Sequence, residues 1–116
     1  MDNNQIFDKS FQFALRIVKL YKLLTAERKE FILSKQLLRS GTSIGANVAE
    51  AQNAQSRPDF LSKLSIALKE TSETKYWLKL MQASDYLTEK EAASMLRDCI
   101  ELEKLLVSII KTLKQK

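Results

Sequence analysis

Apolar residues recur at alternating intervals of four and three along nearly the whole of this chain. That period puts each set on one side of a helix and is incompatible with strands, which alternate every two residues. Four such stripes can be traced. The first reads Phe7, Phe11, Ala14, Val18, Tyr21, and the second Leu37, Gly41, Ile44, Val48, Ala51. The third reads Phe60, Leu64, Ala67, Thr71, Thr74, Leu78, Met81, and the fourth Ala92, Leu96, Cys99, Glu103, Leu106, Ile110, Leu113. Two glycines and one proline in 116 residues leave few places to turn. The expected fold is therefore all-α: one domain over residues 1–116, an antiparallel up-down-up-down four-helix bundle with short links.

The helix boundaries are marked by their own chemistry. Ser56-Arg-Pro-Asp59 supplies a serine cap, a proline in the first turn and an early carboxylate facing the helix dipole. Thr88-Glu-Lys-Glu91 has the form of a capping box, with Leu87 and Ala92 placed as a hydrophobic staple. The last turn is expected at about 83–87 and the first link at about 25–33. Gly41, Gly45 and Ala49 recur every four residues and line one side of the second helix, where another backbone can come close. The Lys-Ser/Thr ending of a phosphate-cradling loop is absent there.

Catalysis is limited by inventory. With no histidine, His-dependent triads, His metal sites and Glu-x-x-His di-iron bundles are excluded. The single Cys99 makes neither an intrachain disulfide nor a zinc site, and its place on an apolar stripe marks it as a packed thiol. No catalytic residue, metal or cofactor is expected, and the chain reads as a non-enzyme. The opening Met1-Asp-Asn-Asn-Gln5 lacks the regions of a signal peptide, and no apolar run approaches the ~20 residues of a membrane span. A cytoplasmic protein that meets no membrane is the expectation.

Polar residues interrupt two stripes. Thr71 and Glu103 both fall near mid-height, so they are expected to form a buried polar layer. In it Glu103 would be hydrogen-bonded to Thr71 and to a basic side chain such as Arg39 or Lys75. The net charge of +5 is uneven: residues 1–40 hold eight Lys or Arg against four Asp or Glu, and the remainder eleven against ten. Lys9, Arg16, Lys19, Lys22, Arg28, Lys29 and Lys35 make a cationic run along the first helix and into the second. Such a run would contact phosphates through charge, with steep salt dependence and little sequence reading.

The stretches Leu33-Ser-Lys-Gln-Leu-Leu-Arg-Ser-Gly-Thr-Ser-Ile-Gly-Ala-Asn-Val-Ala-Glu-Ala51 and Asp59-Phe-Leu-Ser-Lys-Leu-Ser-Ile-Ala-Leu-Lys-Glu-Thr-Ser-Glu-Thr-Lys-Tyr-Trp-Leu78 closely resemble the bacterial four-helix bundle proteins. These are also called 23S rRNA intervening-sequence proteins. The resemblance implies a four-helix subunit, a homopentameric ring and association with RNA. It also admits an accessory-subunit role of the kind seen in diversity-generating retroelements, with a protein partner. It brings over Gln36, Arg39, Ser40, Ser43, Asn47, Glu50, Glu70, Glu73 and Trp77 as motif positions without catalytic roles. Arg39, Ser43 and Glu50 project away from the Leu37–Ile44–Val48 stripe, so Arg39 and Glu50 are expected to make polar contacts across a subunit interface.

Overall fold

A computed structural model describes residues 3–115; residues 1, 2 and 116, the ends of the expected 1–116 domain, lie outside the described residues. Four helices account for most of the chain: α1 (Asn3–Ala26), α2 (Leu33–Gln52), α3 (Arg57–Ala83) and α4 (Glu89–Lys114). They form one elongated body of 47 × 21 × 19 Å, and there is no strand among the described residues. The Ser56 hydroxyl accepts from the Asp59 amide at 3.1 Å, with Pro58 in the first turn of α3. Thr88 and Glu91 form the reciprocal capping box of α4, and Leu87 and Ala92 are buried beside it.

Two ends use devices that the caps did not announce. The Glu30 carboxylate accepts from the amides of Ile32, Leu33 and Ser34 at 3.2, 3.0 and 2.6 Å, so it stands in for the missing cap of α2. Burial alone would raise its pKa, but the three amides outweigh that and hold it below the ordinary carboxylate value. At the end of α3, Asp85 takes a left-handed conformation (φ 68°). The Tyr86 amide then reaches back to the Met81 carbonyl, and the Asp85 amide to that of Gln82. This closes a Schellman turn on a residue other than glycine.

The core is built from Ile6, Phe13, Ile17, Leu20 and Leu24 of α1, the full expected stripe of α2, most of that of α3, and Ala92, Met95, Cys99, Leu102, Leu106, Ile109 and Ile110 of α4. Two expected stripes are corrected. On α1, Phe7 and Phe11 are exposed, Ala14, Val18 and Tyr21 are half-buried, and the helix is rotated so that the neighbouring stripe faces inward. On α4, Leu96, Glu103 and Leu113 sit on the shoulder, and Met95, Leu102 and Ile109 take the core positions.

The glycines explain the α1 rotation. A Cβ on Gly45 would lie 3.2 Å from the Ser10 carbonyl oxygen, and one on Gly41 would lie 2.7 Å from two carbons of Ile17. The backbone of α1 thus meets the small-residue side of α2 at the buried Ser10, and that contact turns Phe13 and Ile17 inward. The close approach expected of the glycine row occurs within the subunit. The order of contacts along the next pair is equally clear. Arg39 and Ser40 of α2 meet Glu73 and Thr74 of α3, whereas Glu50, farther along α2, meets the earlier Lys63.

Candidate functional site: the helix two–helix three seam and the cationic end

The motif positions converge on one seam. Gln36, Ser40, Ser43, Asn47 and Glu50 follow each other on α2 at intervals of four and three, and Glu70, Glu73, Thr74 and Trp77 occupy the facing side of α3. At its floor the hydroxyls of Ser40 and Thr74, both fully buried, hydrogen-bond at 3.0 Å. At its rim the Arg39 guanidinium donates to Glu73 at 3.3 Å, and the Trp77 indole N–H donates to the same oxygen at 3.4 Å. The Asn47 amide donates to the Ser43 carbonyl, and the Ser43 hydroxyl to the Arg39 carbonyl. Gln36 is exposed. Glu70 is the exception: it is buried, and its Oε1 has no hydrogen-bond partner.

Arg39 and Glu50 therefore each have a partner inside the subunit, Glu73 and Lys63 respectively. The Arg39 side chain nevertheless remains 64 % exposed and makes one long bond, so most of its donor fork is open.

The expected polar layer is also rearranged. Glu103 does not bond Thr71. It accepts two bonds from Lys75, at 2.9 and 2.8 Å, at the partly exposed boundary of α3 and α4. Thr71 is fully buried but turns its hydroxyl to the Leu68 carbonyl of its own helix. The physical reason is the α4 rotation, which lifts Glu103 out of the core to where an ion pair stays partly hydrated. Cys99 lies beneath this pair and donates to the Thr71 carbonyl at 3.5 Å. Burial first, then the charge of Glu103, push its thiol up to about 12, so it is an unreactive packing group.

The seven cations separate into two sets. Lys9 pairs with Glu101 at 2.6 Å. Arg16 pairs with Asp98 at 2.6 Å and also donates to the Ser94 hydroxyl and carbonyl. Arg28 makes a two-pronged bond to Glu91 at 2.8 and 2.7 Å and a third to the Tyr86 carbonyl. The Arg28 bond, with the Thr88 amide, holds the Glu91 carboxyl down at about 2, and the same bond raises Arg28. Lys9 and Arg16 tie α1 to α4, and Arg28 ties the link after α1 to it, which is the consequence of the α1 rotation: all three border α4 and do not face away from the bundle. Lys19, Lys22, Lys29 and Lys35 are exposed and enter no ion pair among the described residues. All four lie on the end of α1, the link and the start of α2, at one end of the elongated body.

No group of three or more His, Cys, Asp or Glu residues is placed to hold a metal ion among the described residues. No helix of the described residues is long and apolar enough to cross a membrane. Beside the glycine row, the exposed Phe7 and Phe11 join Ala14, Thr42, Ala46 and Ala49 in an open apolar groove.

A family model described as 23S rRNA-intervening sequence protein matches residues 2–108. The chain belongs to that family. Among solved structures, this intervening-sequence protein is similar to a crystal structure, at 1.70 Å resolution, of a protein of unknown function. That protein comes from the S23 ribosomal protein family of Bacteroides thetaiotaomicron VPI-5482. The identity is 58 %, the TM-score is 0.94, and the match covers 96 % of this chain and 99 % of that one. No curated protein matches the chain. For a 23S rRNA-intervening sequence protein of this architecture, the unpaired lysines Lys19, Lys22, Lys29 and Lys35 and the α2–α3 seam are two surfaces with unspent chemistry.

Proposed function

We propose that this chain is a non-enzymatic, cytoplasmic bundle with an up-down-up-down course that assembles into a homopentameric ring and binds RNA or another nucleic acid. The reversed pairing of α2 against α3 supports antiparallel neighbours. The observation that carries the nucleic-acid reading is the set of unpaired lysines: Lys19, Lys22, Lys29 and Lys35 leave four ammonium groups in water at one end of the bundle. These lysines outnumber Glu27, the exposed carboxylate of the same stretch, and such an excess of positive charge attracts polyanions and releases their counterions. A pentamer multiplies the subunit net charge of +5 five times, so weak single contacts add through multivalency. The test is binding of the purified protein to structured RNA and to duplex DNA, titrated from low to physiological salt. Binding that weakens steeply with salt supports the reading; no binding at low salt retires it.

A protein partner is the second reading, and the apolar groove beside Phe7 and Phe11 favours it. Exposed phenylalanines next to small residues suit a helix–helix contact better than a phosphate. This surface serves either ring assembly or an accessory role toward another protein. For the seam, Arg39→Ala with retained helicity is the variant to examine by light scattering. A shift to monomer supports an intersubunit contact by Arg39, and an unchanged oligomer sinks it.

A further inference from the structure

The outward face of α3 differs from every other helix face among the described residues. Its exposed positions are Arg57, Pro58, Ser62, Ser65, Lys69, Ser72, Tyr76, Lys79 and Ala83, and none is a carboxylate. Each of the other three helices exposes at least one: Asp8 on α1, Glu50 on α2, Glu89 and Glu101 on α4. Lys69 and Lys79 enter no ion pair among the described residues. They stand ten residues apart, roughly 15 Å along the axis, and share one stripe with Ser72 and Tyr76 between them.

Tyr76 is 58 % exposed in the middle of that stripe. It is also braced: its ring meets Trp77 edge to face, with centroids 5.0 Å apart and planes at 75°. Trp77 in turn is anchored to Glu73, and Glu73 to Arg39, so the nearest carboxylate is already engaged. A rigid, exposed aromatic ring flanked by unpaired lysines and serine hydroxyls has the parts of a stacking platform. The ring takes a base, the ammonium groups take phosphates, and the hydroxyls reach phosphate or 2′-OH oxygens.

We infer that the outer face of α3, centred on Tyr76 with Lys69 and Lys79, binds a single-stranded RNA segment by stacking an unpaired base on Tyr76. The inference rests on the nucleic-acid reading above and adds a surface that the cationic run of α1 does not include. Single-stranded RNA is the occupant because a duplex keeps its bases stacked on each other and offers Tyr76 none. The absence of exposed carboxylates gives the face charge complementarity to a phosphate chain over most of its length.

The probe is oligouridylate, with duplex DNA as comparison, and the protein is the intact purified assembly. Trp77 is the only tryptophan, so its fluorescence reports events at Tyr76 directly. Oligouridylate should quench Trp77 and bind more tightly than the duplex. Tyr76→Ala should lose about tenfold in affinity, and Tyr76→Phe should keep it. Lys69→Gln with Lys79→Gln should flatten the slope of log K against log salt by about 1.4. All these positions are exposed, and circular dichroism confirms that each variant folds. If Tyr76→Ala and the lysine pair bind as wild type while Lys19→Gln with Lys22→Gln loses affinity, this surface is wrong and the nucleic-acid reading stands. If the wild type binds no RNA even at low salt, both fall. If polyglutamate displaces oligouridylate as well as RNA does and Tyr76→Ala changes nothing, the face is a charge surface for an acidic protein and the inference is overturned.

Discussion

Replacing Gly41 with alanine sets two effects of similar size against each other, and the structure decides between them. Neither glycine of the chain has a positive φ, so the backbone at Gly41 accepts a side chain without strain. Alanine in place of a mid-helix glycine is worth about 1 kcal/mol in helix propensity. Against that gain stands Ile17. The new Cβ would lie 2.7 Å from Cδ1, 2.7 Å from Cγ1 and 3.0 Å from Cγ2 of this fully buried side chain. Three contacts of that kind cannot be relieved by turning one terminal methyl, because a β-branched side chain in a helix has essentially one χ1. Overpacking of this sort costs about 1–3 kcal/mol, so the net loss should be about 0–2 kcal/mol, up to roughly 8 °C in Tm for a chain of this length. Urea or thermal unfolding followed by helicity measures it. A cycle with Ile17→Ala assigns the cause: the double variant should be more stable than the sum of the singles predicts, by about 1 kcal/mol or more. A Gly41→Ala protein more stable than wild type would refute the claim that α1 and α2 are in contact at this point. Gly45→Ala should be closer to neutral, since its nearest neighbour is the Ser10 carbonyl oxygen at 3.2 Å, a milder approach.

Three further outcomes follow from individual side chains. The Glu91 carboxyl, held at about 2 in the folded chain against an ordinary 4.5, contributes stability that is present above pH 4.5 and lost as pH falls toward 2. After allowance for its partial exposure this amounts to about 1–2 kcal/mol, so urea unfolding of Glu91→Gln should be weaker at neutral pH and should change less across that window than wild type. Asp85→Gly should stabilise the chain by about 0.5–1 kcal/mol, because the left-handed conformation at φ 68° is free for glycine; an unchanged midpoint would mean the turn carries no strain. Glu70→Gln replaces a buried carboxyl group whose Oε1 lacks a partner and should be neutral or stabilising by about 1 kcal/mol; a loss of more than that, measured by thermal unfolding, would show that the carboxyl group is needed where it is.

The sequence was legible on α2 and α3. On α2 the stripe from Leu37 to Ala51 is the core stripe, and on α3 the positions from Leu64 to Met81 are buried as expected. On α1 two stripes with the same period compete, Ile6–Phe13–Ile17–Leu20–Leu24 and Phe7–Phe11–Ala14–Val18–Tyr21, and periodicity alone cannot rank them. The signal that does rank them is long-range: Gly45 needs a small facing residue, and Ser10 lies on the first stripe. On α4 the expected and observed stripes share Ala92, Cys99, Leu106 and Ile110, and they differ at Leu96, Glu103 and Leu113, where Met95, Leu102 and Ile109 are buried instead. Glu103 in the expected one was the mark of a helix read one shoulder too far round. The same rotations explain the functional residues. Whether Lys9, Arg16 and Arg28 are free depends on Glu101, Asp98 and Glu91, which lie 92, 82 and 63 residues away. No local pattern on α1 reveals those carboxylates. The seam was different, because the motif positions already alternate by four and three and needed only the α2–α3 register to meet.

The central claim is that the first-third cations divide into structural clamps and an RNA-facing set, and one paired measurement tests it. Lys19, Lys22, Lys29 and Lys35 are changed together to glutamine in one protein, and Lys9, Arg16 and Arg28 in another. RNA affinity against salt and thermal stability are then measured for both. The account predicts that the first protein keeps its Tm and loses affinity, its salt slope flattening by about 3, whereas the second loses Tm and keeps the slope. Affinity that follows the clamp set, or a slope indifferent to the four free lysines, would contradict it.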